Sequence, residues 1–136
     1  MKCPVCQDAM VVLELDDVEI DHCLTCGGIW LDSGELELLM ESEAERTAVL
    51  QSFRPAGPLA EKSRQCPICL KAMEKVLCAG RRGPVRLDRC QSQDGIWFDR
   101  EELHDVLAAG GSGLNSRVLN LLKDMFRNNQ TKEESS

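Results

Sequence analysis

The sequence predicts a small α+β protein made of two copies of one cysteine-rich module. Each copy is expected to form a β-hairpin followed by an α-helix, and an amphipathic helix is expected after the second copy. Three observations support this prediction: an internal repeat, hairpin signals within each copy, and apolar residues at helical spacing after each hairpin. The length of 136 residues is ordinary for a single domain.

The repeat aligns the two halves of the chain in one register. The matched positions are cysteines and a Gly-Ile-Trp motif: Cys3, Cys6 and Cys23 over Cys66, Cys69 and Cys90, and residues 28–32 over 95–99. This many matches, with a single insertion, indicate a duplicated module. The predicted units are a first module with its helix in residues 1–52, a linker in 53–63, a second module with its helix in 64–110, a C-terminal helix in 111–128 and a disordered tail in 129–136.

Each module begins with signals for a hairpin and continues with signals for a helix. In the first module, an apolar run at residues 10–15 precedes Asp16 and Asp17, which favour a turn. Asp32 with Glu35 predicts a capping box at the helix start, and the second module repeats the pair as Asp99 and Glu102. Apolar residues at helical spacing follow in both copies: Leu36, Leu39 and Met40, then Leu103, Val106 and Leu107.

An apolar stripe runs along the predicted C-terminal helix. It consists of Leu114, Val118, Leu121, Leu122, Met125 and Phe126. An isolated helix of this length is marginal in water, so the stripe is expected to dock. Two docking sites stay open: its own chain, or, because a glycine-rich tether precedes the helix, a partner protein or a second copy.

The charge is distributed unevenly along a chain whose net charge is −7. Residues 1–53 hold two basic and twelve acidic residues, a charge of −10, and the remaining fourteen basic and eleven acidic residues give +3. An acidic chain is a poor candidate for general nucleic-acid binding, which depends on Lys and Arg contacts with phosphates. No apolar run approaches the roughly 20 residues of a membrane span, and no signal peptide is recognisable. We therefore expect a cytoplasmic protein with free thiols and no membrane association.

Cys3, Cys6, Cys23 and Cys26 form two Cys-x-x-Cys pairs that a hairpin would bring together. Four thiolates in this arrangement make the closed tetrahedral site that structural Zn²⁺ prefers. The two glycines that follow are expected to supply positive φ angles in the turn. A module of about 40 residues is also near the size limit below which a metal or disulfides are usually needed. Buried structural cysteines or a redox pair are the alternatives, but a thioredoxin-like pair would start a helix in a βαβ unit, which this pattern lacks.

These motifs make the chain similar to the transcription-factor-IIB-type zinc-finger family of small prokaryotic proteins. The resemblance lies in Cys-Pro-x-Cys followed by Ile-Asp-x-Cys-x-x-Cys-Gly-Gly-Ile-Trp-Leu-Asp-x-Gly-Glu-Leu. It covers residues 1–40 closely and residues 65–107 more loosely. It implies a zinc ribbon followed by a helix, with Cys3, Cys6, Cys23 and Cys26 as zinc ligands. It implies little about biological role, because the family name records a similarity of fold.

The second module keeps three cysteines, Cys66, Cys69 and Cys90, and has Gln93 at the fourth position. Four donors are open for completing a second zinc site: Asp94, His104, Cys78 or water. We expect Cys78 to be a buried thiol and His104 to lie on a solvated helix surface. A carboxylate such as that of Asp94 is a less usual ligand in structural zinc sites. One Zn²⁺ is therefore expected, and a second depends on the missing donor.

The remaining features favour binding over catalysis. Trp30 and Trp97, each just before a predicted helix, are expected in the core between hairpin and helix. The leading hypothesis is a structural zinc protein that acts as a protein-interaction module, with transcription as its setting and an unidentified protein partner. The alternative is a zinc-dependent nucleic-acid binder that uses the basic loop at residues 81–89, which holds Arg81, Arg82, Arg86 and Arg89. An enzyme is not expected, because no nucleophile–base pair or redox fold is recognisable.

Overall fold

The computed structural model describes residues 1–40, 43–56, 64–109 and 120–124. Its strands are β1 (Val11–Leu15), β2 (Val18–His22), β3 (Ile29–Asp32), β4 (Arg54–Pro55), β5 (Glu74–Cys78), β6 (Val85–Arg89) and β7 (Gly95–Phe98). Its helices are α1 (Glu35–Leu38), α2 (Glu43–Ser52) and α3 (Glu102–Ala108), and residues 120–124 are also helical. The predicted α+β class is confirmed.

Both predicted hairpins are present. β1 and β2 pair antiparallel, with Leu15 opposite Val18 across the two-residue turn. Asp16 and Asp17 have φ angles of 52° and 68°, and positive φ at both central residues is the requirement of a type I′ turn. In the second module β5 pairs with β6 in the same way, and the insertion forms the longer loop between them.

The two modules share one antiparallel sheet, which the repeat alone did not predict. The strand order is β1-β2-β3-β7-β6-β5-β4, so the modules meet at β3 and β7. Trp30 lies directly opposite Trp97 in this pairing. Because the two central strands are equivalent in the duplication, the sheet has an approximate two-fold axis between the tryptophans.

The sheet buries a different core on each face. On one face, apolar side chains of the strands pack with those of the helices, among them Leu36, Phe98 and Leu103. On the other face, the fully buried rings of Trp30 and Trp97 pack with the cysteines of both modules. Both tryptophans are therefore core residues, as predicted, but they lie on the cysteine side of the sheet and not between hairpin and helix.

Each tryptophan packs on a glycine of the other module. A Cβ atom at Gly28 would overlap the Trp97 ring, and a Cβ atom at Gly95 would overlap the Trp30 ring. Gly27 has a φ of 81°, as predicted for the turn, but Gly28 is not among the residues with positive φ. The sequence-based explanation for Gly28 was therefore wrong: its lack of a side chain makes room for a ring.

The predicted capping boxes form only in part. Glu35 accepts a hydrogen bond from the backbone N–H of Asp32 at 2.7 Å, and Glu102 does the same with Asp99 at 2.8 Å. The aspartates themselves are not the N-caps, which are Gly34 and Glu101 in left-handed conformation. Each aspartate carboxylate instead accepts a hydrogen bond from the indole N–H two residues earlier.

The segments around the modules differ from the expected simple connections. Arg54–Pro55, within the predicted linker, forms β4 beside β5, and Phe53 packs against the core. The first predicted helix is divided into α1 and α2, although Leu36, Leu39 and Met40 are all buried as expected. Residues 57–63 lie outside the described part of the chain.

The described part of the C-terminal stripe packs on its own chain. Leu122 is fully buried in the helix-side core, and Leu121 packs against it. For these two residues, the chain itself is therefore the docking site, the first of the two that the sequence left open. The rest of the predicted helix and the predicted tail, residues 111–119 and 125–136, lie outside the described ranges. Among the described helices, none has the length and apolar character needed to cross a membrane.

Gly28→Ala is expected to lower the free energy of unfolding by about 2–3 kcal/mol, because the new methyl group overlaps a fixed aromatic ring. Urea denaturation of the zinc-loaded protein measures the loss. In a Trp97→Phe background, where the ring is smaller, the same substitution should cost less. If the losses of unfolding free energy from the two substitutions simply add, the contact with Trp97 is not the cause of the destabilisation by Gly28→Ala.

Candidate metal centres

The four cysteines of the first module form one compact cluster. The sulfur atoms of Cys3, Cys6, Cys23 and Cys26 all lie within 4.8 Å of one another. The sulfurs of Cys3 and Cys26 are 3.7 Å apart, and four sulfurs in a tetrahedron around Zn²⁺ would be separated by about 3.8 Å. All four are free thiols, far from the roughly 2.05 Å of a disulfide. The donor set fits a tetrahedral zinc ion.

Backbone amides support the sulfur atoms. In the first turn, the N–H groups of Val5 and Cys6 each lie 3.3 Å from the Cys3 sulfur. The turn closes with a 2.9 Å hydrogen bond from the N–H of Gln7 to the carbonyl of Cys3, and Gln7 has a φ of 65°. These contacts fix the position of the Cys3 sulfur within the turn.

The second cluster contains three cysteines and Asp94. The sulfurs of Cys69 and Cys90 are 3.7 Å apart, matching the spacing in the first cluster. The Asp94 carboxylate oxygen lies 3.4 Å from the Cys90 sulfur and 3.7 Å from the Cys66 sulfur. A Cys₃Asp set supplies four donors of types that zinc accepts.

A shift of the turn brings Asp94 into the cluster in place of Gln93, which aligns with Cys26. In the first module the residue that closes the turn on the carbonyl of Cys23 is Gly27, with φ of 81°. In the second module Gln93 closes the turn on Cys90, one position earlier, with φ of 65°. Asp94, the next residue, then lies beside the sulfur atoms of the cluster. The N–H of Ser33, from the first module, also donates to the carbonyl of Asp94 at 3.0 Å.

The other two candidate donors lie outside this cluster. Cys78 is a buried thiol beside Ser52, as expected, and burial raises its pKa. His104 lies on α3 outside the cluster, as expected, but it is partly buried and lines a cavity of about 530 Å³. Burial and the charge of Lys123 lower the pKa of this histidine.

Two of the clustered thiols, Cys26 and Cys66, have a raised pKa and so resist ionisation without a cation. Burial, reinforced by hydrogen bonds with neighbouring thiols, raises the pKa of Cys66 to about 12, although backbone N–H groups act against it. Burial and the neighbouring sulfurs also raise the pKa of Cys26. Cys23 differs: burial acts to raise its pKa, but the N–H groups of Cys26 and Thr25 lower it overall. A divalent cation would offset the repulsion among thiolates, so metal binding and thiol deprotonation are coupled.

The family comparison agrees with this geometry. A family model described as a transcription factor zinc-finger matches residues 2–42 and 65–109, more than half of the chain. The chain belongs to this family. The two matched segments confirm the tandem zinc ribbons, and Zn²⁺ is the metal that both the family and the two donor sets support. No match to the chain was found among curated proteins or solved structures.

The fourth ligand of the second ribbon can be tested directly. Asp94→Ala is expected to lower zinc content from two ions to one per chain. The second site would then lack its fourth protein donor and would hold zinc with three thiolates only. Gln93→Asn, which keeps a residue tolerant of positive φ at the aligned position, should leave two ions. Native mass spectrometry gives the stoichiometry. If Asp94→Ala kept two zinc ions and Gln93→Asn lost one, Gln93 and not Asp94 would be the fourth ligand.

Glu102 is expected to make stability depend on pH. Burial, with the charges of Asp99 and Asp88, raises the pKa of Glu102 to about 7, although the Asp99 N–H and Arg64 act against it. Folding is therefore progressively penalised as pH rises from the ordinary carboxyl pKa towards 7, and the penalty is complete above 7.

Glu102→Gln removes this penalty. The variant should be more stable than the wild type at pH 8, by about 1–2 kcal/mol for a partly buried carboxyl, and by less at pH 5.5. Urea denaturation with saturating zinc measures the difference. Glu101→Gln, at the exposed neighbouring position, is the control. An equal gain at both pH values would contradict this explanation.

Proposed function

We propose that this protein is a structural zinc-binding protein that acts as a protein-interaction module. The observation that carries the proposal is the exposure of large apolar side chains on the cysteine turns. In the first ribbon Val5 is 43% and Leu24 is 53% exposed, and in the second Ile68 is 47% and Leu70 is 65% exposed. Apolar side chains held outward on metal-braced turns are suited to burial against a partner.

The donor sets support a structural role for the metal. Each cluster offers four protein donors, whereas a catalytic zinc usually keeps one position for water or substrate. Zinc in this protein would then hold the turns and the tryptophan-centred core in place. The finer proposal is that the partner belongs to the transcription machinery, which the family description suggests.

Nucleic-acid binding is the second candidate function. Three basic side chains, Arg81, Arg82 and Lys123, line one cavity together with Glu101 and Asp105, and the basic side chains favour it. Arg82 already pairs with Asp105 at 3.0 Å. Arg89, at the end of the basic segment, bonds to Glu74 and lies over the Phe53 ring, so it serves the fold. These pairings reduce the charge left for phosphate, and we rank this candidate second.

The proposed interaction is tested by capture from the native host after cross-linking. Val5→Ser with Leu24→Ser should lose the specific partner, while Leu38→Ser, an exposed apolar position on α1, should keep it. Zinc chelation should also abolish capture, because the turns lose their brace.

A salt titration separates the two candidate functions. Apolar docking should survive added salt, whereas binding to duplex DNA should weaken steeply with salt. Tight, salt-sensitive DNA binding that is lost in Arg81→Ala with Arg82→Ala would replace the leading proposal.

A further inference from the structure

The outer edge of β1 lacks a partner strand within the described part of the chain. β1 pairs only with β2 there, whereas its equivalent in the second module, β5, pairs with both β6 and β4. The two-residue turn makes Leu15 and Val18 a hydrogen-bonded pair, and such pairs alternate along an antiparallel ladder. The backbone groups of Val12 and Glu14 therefore point outward from the sheet.

The second module shows what such an edge accepts. Lys75 and Leu77 of β5 occupy the positions equivalent to Val12 and Glu14. The carbonyl of Lys75 accepts a hydrogen bond from the N–H of Ala56 at 3.2 Å, and Leu77 lies opposite Arg54 of β4. The second module thus fills this edge with an extended segment of its own chain.

The charge beside the open edge selects for a basic ligand. Glu14 and Glu19 are exposed and lie directly opposite each other, an arrangement that is unfavourable for like charges. Asp21 lies opposite Val12 on the same face. Among the described side chains, no lysine or arginine forms an ion pair with these three carboxylates, and the nearby positive charge is the amino group of Met1.

Of these three carboxylates, Asp21 alone has a carboxylate as its equivalent in the second module, and that equivalent has cationic partners. Asp88, the counterpart of Asp21, pairs with Lys75 at 2.6 Å and with Arg64 at 3.2 Å. The first module has Val12 in place of this lysine and Met1 in place of this arginine. The second module therefore supplies both a covering strand and the cations from its own chain. The described part of the first module has neither.

We propose that β1 binds an extended peptide of a protein partner by strand addition, and that this peptide carries Lys or Arg at alternate positions. The inference rests on the proposed protein-interaction function and names one surface and the chemistry of its ligand. Backbone hydrogen bonds to Val12 and Glu14 would provide affinity. A basic side chain opposite Val12 can extend across this small residue towards Asp21, and one opposite Glu14 meets its carboxylate directly.

A second copy of the chain is a poorer occupant of this edge. Antiparallel pairing of two β1 strands would bring Glu14 and Glu19 of both copies onto one sheet surface. Like charges at that spacing repel, whereas a basic peptide neutralises them.

The probe is a seven-residue peptide of alternating lysine and valine, acetylated and amidated at its ends. It is titrated into the zinc-loaded, ¹⁵N-labelled full chain at low salt. The expected result is saturable shifts and slower hydrogen exchange at the N–H groups of Val12 and Glu14. The same peptide with N-methyl groups on its edge-facing amides should bind at least tenfold more weakly, as should one with glutamate in place of lysine.

Variants of the protein test the edge from the other side. Val12→Pro removes an outward N–H that β2 does not use and should abolish peptide binding, while Val12→Thr keeps the N–H and should bind normally. Glu14→Gln should weaken binding about threefold, and Glu43→Gln, the same charge change on α2, should have no effect.

Three results would overturn the inference. They are equal binding of the N-methylated peptide, shifts that map away from β1, and a wild-type dimer that Val12→Pro converts to a monomer. If capture of the native partner depends on Val5 and Leu24 but the peptide fails to bind β1, the strand-addition inference is wrong and the proposed interaction function stands.

Discussion

Pairing of β3 with β7 is the constraint on which the rest of the structure depends. It places Trp30 opposite Trp97 and each ring over a glycine of the other module. The two rings form one buried cluster with the cysteines of both candidate zinc sites. The metal centres, the joint between modules and this core are therefore packed as one unit.

Divergence of the two copies has given them different surfaces on one framework. The second module neutralises its carboxylates with Arg64 and Lys75 and covers its edge strand with β4. The first keeps an acidic face and a strand edge without such a cover among the described residues. Their metal sites also differ. A change in the turn places Asp94 in the second cluster, where the first cluster has a cysteine. The acidic face and the open strand edge that the proposed strand addition requires are therefore features of the first module.

Local patterns predicted local structure well. The Asp16–Asp17 turn, the burial of Leu36, Leu39 and Met40, and the proximity of four cysteines all depend on residues near each other in sequence or across one hairpin. The capping boxes were only partly right because an indole N–H competes for each aspartate carboxylate. That competition depends on where the rings lie, and neighbouring residues alone did not indicate it.

The sequence by itself determined the duplication, the hairpins, the first cysteine cluster and the family, because each is encoded in spacing within a short segment. Only the tertiary structure decided that the modules share one sheet and that Asp94, among the donors left open, joins the second cluster. It also decided that Gly28 and Gly95 make room for tryptophans. The physical reason is that these features depend on contacts between modules. A backbone N–H from Ser33 and two rings crossing the joint have no signature within either repeat.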